Sequence, residues 1–145
     1  MNGSAHESPT PLHSLTLRNI LSFGPDAQTI PLGPLNVLIG PNGSGKSNLI
    51  EAIALLRATP GDLRAVTREG GGVREWIWKG APRQIAEITA VIDDLSNHFN
   101  LQHIVAFRTS IMSFKVVREQ LNVTAHGAGS AVRGWLRRDS GRRGR

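Results

Sequence analysis

Apolar and polar positions alternate along much of this chain and recur at helical spacing in one stretch. In "SLTLRNI", residues 14–20, Leu15 and Leu17 alternate with polar neighbours, the period of a half-exposed strand. A Gly24-Pro25-Asp26 turn follows, and a short second strand at 28–30 pairs back on the first as a hairpin. "LNVLI", residues 35–39, is a short apolar run, the pattern of a buried strand. The period then changes in "KSNLIEAIALLRA". Leu49, Ile50, Ile53 and Leu56 fall on one helical face, and "TPG" ends the helix. "DLRAVTRE" predicts one or two helical turns closed by Gly70, Gly71 and Gly72.

Further along, "VREWIWKG" sets Trp76 and Trp78 two apart on one side of an extended segment. Such a pair suits base stacking but is more often a strand's packing face. Strands are predicted at 85–92, 102–108 and 112–119. In the last, Met112, Phe114 and Val116 alternate with Ser113, Lys115 and Val117. The short link "TS" makes the last two an antiparallel hairpin. Residues 1–12 read as disordered, with Pro9 and Pro11 discouraging regular structure. Beyond Val123 the periodicity is lost and the sequence becomes Gly/Arg-rich. The expected division is therefore a disordered start at 1–12, a folded body at 13–123 and a basic tail at 124–145.

Charge sharpens that division. The formal net charge is +6, yet residues 126–145 hold six arginines against Asp139, so the body is almost neutral. The pI of 11.3 describes a tail and not a basic fold. At 145 residues the chain is one domain's worth, long enough for a core. The absence of cysteine excludes disulfides and thiolate metal sites. His6, His13, His98, His103 and His126 show no metal-ligand spacing. No 18-residue apolar run and no signal-peptide core is found, so a cytoplasmic protein away from membranes is expected.

The candidate chemistry sits between the apolar run at 35–39 and the helix. "GPNGSGKS" fills G-x-x-x-x-G-K-[ST] with Gly40, Gly45, Lys46 and Ser47, the phosphate-binding loop. Its glycines allow a tight turn that points successive backbone N–H groups at one anion. The helix it opens adds N-terminal N–H groups and a favourable dipole. Lys46 then reaches the β/γ-phosphates and the Ser47 hydroxyl ligates Mg²⁺. Strand, glycine loop and helix come in the order this motif requires.

"LTLRNILSF…IPLGPLNVLIGPNGSGKSNLIEAIALL" resembles the N-terminal half of the ATP-binding head in SMC-like and RecF-like ATPases. These are ABC-type proteins of the AAA-ATPase family, and they include the OLD-type phage-defence ATPases. The likeness covers residues 13–121 and is strongest over 15–56. It implies an α/β fold: a P-loop NTPase half-domain with a strand–P-loop–helix core and an antiparallel β-subdomain that takes the strands between 85 and 119. It implies ATP and Mg²⁺ as cofactors. The nucleotide would lie on Gly40, Pro41, Asn42, Gly43, Ser44, Gly45, Lys46 and Ser47, with Ser47 as the metal ligand. A second ATPase head would dock face to face on ATP, and DNA is a partner within the group. The segment at 18–23 approaches the base or phosphates in such heads, where a Lys or Arg often stands at the position of Leu21.

The later half of that family carries a signature loop, a Walker B strand ending in Asp-Glu, and a His switch. None is matched here. "AVIDD", residues 90–94, imitates a Walker B strand, but Glu87 and Thr89 interrupt the apolar run and Asp94 replaces the longer Glu. A subdomain strand is the plainer reading. "HGAGS", residues 126–130, lacks the helix pattern of a signature loop.

Three functions follow. The first is the ATP-binding N-terminal portion of such a head, truncated or frameshifted after Val123 and lacking its catalytic half. The second is a complete small P-loop ATPase or kinase using Asp93 and Asp94. The third is a nucleic-acid-binding module working through the arginine-rich tail. The first accounts for the most residues, and on it the chain holds ATP without turning it over.

Overall fold

Period-two alternation builds a six-stranded antiparallel sheet in the order β2-β1-β3-β4-β5-β6. Its strands are β1 (Leu12–Arg18), β2 (Gln28–Pro31), β3 (Ala86–Asp94), β4 (Phe99–Ser110), β5 (Ser113–Ala125) and β6 (Arg133–Trp135). The computed structural model describes residues 12–59, 61, 66, 73–80, 85–94, 99–110, 113–125 and 133–135. The helix α1 (Lys46–Ala58) and a 3₁₀ turn (Val73–Glu75) complete the elements.

Register explains the core. Leu15 lies opposite Ala90 and Leu17 opposite Ile88. Ile88 in turn faces Val105, and Ala86 faces Phe107. These side chains share one face of the sheet and are all fully buried. Leu49, Ala52 and Leu55 of α1 join the same cluster, with Ile20, Phe23, Trp76 and Ile77 closing one end. The opposite face carries polar pairs: Thr16 and Thr29 share a 2.9 Å hydrogen bond, and Arg118 pairs with Glu87.

The hairpin at β1–β2, the strands at β3, β4 and β5, and the helix all lie where the pattern placed them. Three differences matter. First, 35–39 is neither a strand nor buried: Leu35 is 85% and Ile39 90% exposed. The expected antiparallel sheet is therefore present, while among the described residues the expected α/β core is represented only by the glycine loop and its helix. Second, α1 buries Leu49, Ala52 and Leu55, leaving Ile50 62% exposed. The helix is apolar on more than one side, so its spacing alone did not say which side the sheet takes.

Third, β5 continues through Gln120 to Ala125, because Leu121 and Val123 keep alternating with Gln120 and Asn122. β6 pairs onto it, with Trp135 opposite Leu121, inside the stretch read from sequence as tail. The predicted turns at 62–69 and the stretches 1–11 and 136–145 fall outside the described residues, Val66 excepted. Among the described residues, no helix is long and apolar enough to cross a membrane.

Candidate functional site

The glycine loop enters α1 through two left-handed residues, Gly43 at φ 83° and Gly45 at φ 90°. Any side chain at these positions is strained, which is why glycine stands there. Gly45 is also the N-cap of α1, and no side chain caps that end. No acidic residue lies in the first turn. The positive end of the helix, with its N–H groups, thus has no built-in anion. A phosphate fits this arrangement.

Lys46 sits inside the loop that precedes it. Its Nζ donates to the carbonyls of Gly40 and Pro41, both at 2.6 Å, and to Ser44 Oγ at 3.3 Å. The Ser44 amide donates to the Pro41 carbonyl at 3.3 Å, closing the turn through Asn42 and Gly43. Ser47 is exposed on the first helical turn. The residues Gly40, Pro41, Asn42, Gly43, Ser44, Gly45, Lys46 and Ser47 therefore form one exposed or half-exposed collar around a lysine ammonium.

The segment after β1 abuts this collar. A Cβ placed on Gly45 would lie 2.9 Å from Ser22 Oγ. Residues 19–24 fold into a tight turn: Asn19 N donates to Gly24 O at 2.8 Å, and Ile20 and Phe23 exchange backbone hydrogen bonds. Asn19 and Leu21 both have φ 52°. That is tolerable for Asn but unfavourable for Leu, by about 1–2 kcal/mol. Two further bonds hold the turn: Leu21 N to Trp76 O at 3.0 Å and Trp78 N to Asn19 O at 3.1 Å. The sequence had pointed to 18–23 only through family likeness. The left-handed Leu21 and its link to the tryptophans have no signature in hydropathy.

Asp93 and Asp94 lie elsewhere. They end β3, opposite Asn100 and Phe99, and Asp93 Oδ2 is 3.3 Å from His13 Nε2. β1 runs from Leu12, beside Ile92, to Arg18, beside Glu87, and only then turns towards the glycine loop. At about 3.3 Å per residue the two ends of β1 are about 20 Å apart. A carboxylate at Asp93 is thus far from any cation held by Ser47, given metal–oxygen distances of about 2.0–2.1 Å. "AVIDD" ends a strand paired antiparallel with β1 and β4. Among the described residues no cluster of His, Asp and Glu could hold a metal. "HGAGS" falls outside the described residues, and of the arginine-rich stretch only Arg133–Trp135 is described.

Comparison with known proteins identifies relatives of the sequence. The family model described as "AAA domain, putative AbiEii toxin, Type IV TA system" matches residues 35–118. Among curated proteins, the chain is 36% identical over 97 residues to chromosome partition protein Smc of Mycolicibacterium paratuberculosis. It is equally similar to that of Mycobacterium tuberculosis, and 34% identical over 100 residues to that of Desulfitobacterium hafniense. The aligned part is 63% of this chain for the first two and 66% for the third. The match spans only 8% of the length of each of these relatives.

Proposed function

The chain belongs to this AAA-domain family and is SMC-like in sequence, and from that footing we propose that it is the ATP-binding N-terminal portion of an SMC/RecF-like ATPase head. One observation carries the reading: left-handed Gly43 and Gly45 deliver a lysine-centred loop onto an uncapped, acid-free helix N-terminus. In this reading residues 13–123 are the nucleotide-binding body. The backbone N–H groups of 40–47 cradle the phosphates, Lys46 turns from its own carbonyls to the β/γ-phosphates, and Ser47 ligates Mg²⁺. A P-loop strand at 35–39 belongs in a parallel sheet. Its exposure supports the view that a complementary half supplies the neighbouring strands and the Walker B carboxylates.

Partners follow from the same reading. A second ATPase head is the expected companion on ATP, and DNA the expected substrate surface, both by family likeness. The reading that uses Asp93 and Asp94 as a Walker B pair loses support from their place at the far end of β1. The arginine-tail reading rests on residues that, Arg133–Trp135 apart, lie outside the described ones.

Isothermal calorimetry tests the proposal. Wild-type chain should bind ATP, and Lys46→Ala should weaken it at least tenfold. Ser47→Ala should lower affinity with Mg²⁺ more than without it. Equal affinity of wild type and Lys46→Ala would overturn the assignment.

A further inference from the structure

The stretch before the glycine loop is an open edge as well as an apolar one. None of the backbone N–H and C=O groups of 35–39 has a hydrogen-bond partner among the described residues. A row of free backbone groups beside apolar side chains is a template for another strand. The side chains alternate as those of a strand do. Leu35, Val37 and Ile39 are 85%, 73% and 90% exposed, whereas Leu38 between them is 40% exposed. Asn36 is turned back on its own chain: Gly33 N donates to its Oδ1 at 2.9 Å, and its Nδ2 donates to Gly33 O at 2.8 Å. One face of 35–39 is thus engaged locally, and three aliphatic side chains stand on the other.

The sequence itself selects the strand that fits this edge. Outside the described residues it holds no apolar run longer than two, so nothing there matches a five-residue apolar strand. The stretch does match its own copy. Paired antiparallel about Val37, Leu35 falls opposite the Ile39 of a second copy, Ile39 opposite its Leu35, and Val37 opposite Val37. Aliphatic meets aliphatic at every outward position. Such an isologous pair closes on itself after two chains. Pro34 and Pro41, which lack an N–H, bound the paired segment at its two ends.

We propose that residues 35–39 pair with the same residues of a second copy about a two-fold axis at Val37, giving a symmetric dimer that needs no nucleotide. The inference goes beyond the ATP reading and does not rest on it. Gly40 follows Ile39 directly, so at about 3.4 Å per residue the two glycine loops lie about 20 Å apart, at opposite ends of the paired strands. That geometry differs from a face-to-face docking of heads on ATP. A complementary half would take the same edge, and the dimer is the form of the chain before one does. Five residues a side is small for a specific interface, which makes the dimer a weak one with a micromolar dissociation constant.

Sedimentation equilibrium of the full chain without nucleotide tests it. The mass should rise with concentration to a plateau at twice the 15.7 kDa of one chain. Val37→Lys sets two ammonium groups directly opposite each other and should weaken the dimer about tenfold or more. At dilution, where copies are apart, its urea unfolding should match wild type, since Val37 lies outside the core. The chain has no cysteine, so single cysteines report the register cleanly. Val37→Cys should form an intermolecular disulfide on mild oxidation, because directly opposed residues have Cα atoms about 4.5–5.5 Å apart. Leu35→Cys and Ile39→Cys should crosslink poorly alone and readily when mixed. A wild-type chain that stays monomeric, or whose mass climbs past two copies without a plateau, would overturn the proposal. So would equal dimerisation of wild type and Val37→Lys, or equal crosslinking of all three single cysteines. A dimer that forms only with ATP would also overturn it, while leaving the phosphate collar and the ATP reading standing.

Discussion

Helix α1 has two apolar sides, and they meet different fates. One side sets Leu49, Ala52 and Leu55 against a sheet whose strands all have hydrogen-bonded neighbours. The other carries Ile50, which stays largely exposed, as do Leu35, Val37 and Ile39 in the stretch before the loop. Both regions are equally apolar in sequence. What separates them is the supply of partners. β1 finds β2 and β3 within the chain, whereas no described strand pairs with 35–39. Burying a Val, Leu or Ile side chain is worth about 1.5–3 kcal/mol. The exposed stretch therefore holds apolar surface whose burial would add stability. An antiparallel sheet thus carries a loop-and-helix unit that, among the described residues, is covered on one side only.

Substitutions on the two sides should separate just as sharply. Phe107 is fully buried in the sheet–helix core, and Phe107→Ala should lower unfolding free energy by about 3–5 kcal/mol, read from urea denaturation. Ile39→Ser removes a comparably apolar side chain from the exposed stretch. It should change stability by no more than about 0.5 kcal/mol, as exposed positions do. Its effect should appear in light scattering, where a less apolar unpaired segment lowers self-association. A loss of 2 kcal/mol or more in Ile39→Ser, an order-of-magnitude mark for a buried aliphatic side chain, would show 35–39 packed in solution and erase the contrast.

Much of this was legible beforehand, and for a physical reason. Strand positions such as Leu15, Leu17, Ile88 and Val105 announce themselves by alternation, because the pleat sends successive side chains to opposite faces. The loop announces itself because Gly43 and Gly45 occupy backbone conformations that only glycine adopts readily. Hydropathy misleads at 35–39, where an apolar run signals that a segment wants burial but not whether its neighbours are at hand. It misleads in α1 too, where Ile50 and Leu49 are equally apolar and only the sheet chooses between them. The cleft that Leu21, Glu51 and Trp78 line beside α1 was legible only in pieces, the tryptophan pair as a stacking-suited motif and 18–23 through family likeness. Trp78, Leu21 and Glu51 meet through the 19–24 turn, and their sequence separation hides the meeting.

The smallest effect expected is also the most discriminating about chemistry. Hydrolysis needs a group to orient water and a carboxylate to help secure Mg²⁺, beyond a phosphate cradle. The acidic pair nearest that description, Asp93 and Asp94, ends β3 at the far end of β1 from Lys46. Asp93 there faces His13, a half-exposed pair worth no more than about 1 kcal/mol. Asp93→Asn should therefore leave ATP affinity unchanged, and steady-state phosphate release should equal that of a Lys46→Ala control for both the variant and the wild-type chain. Lys46-dependent turnover that Asp93→Asn abolishes would bring the far end of β3 into the chemistry. The two sides of α1 would then belong to one finished enzyme and not to a subdomain awaiting its counterpart.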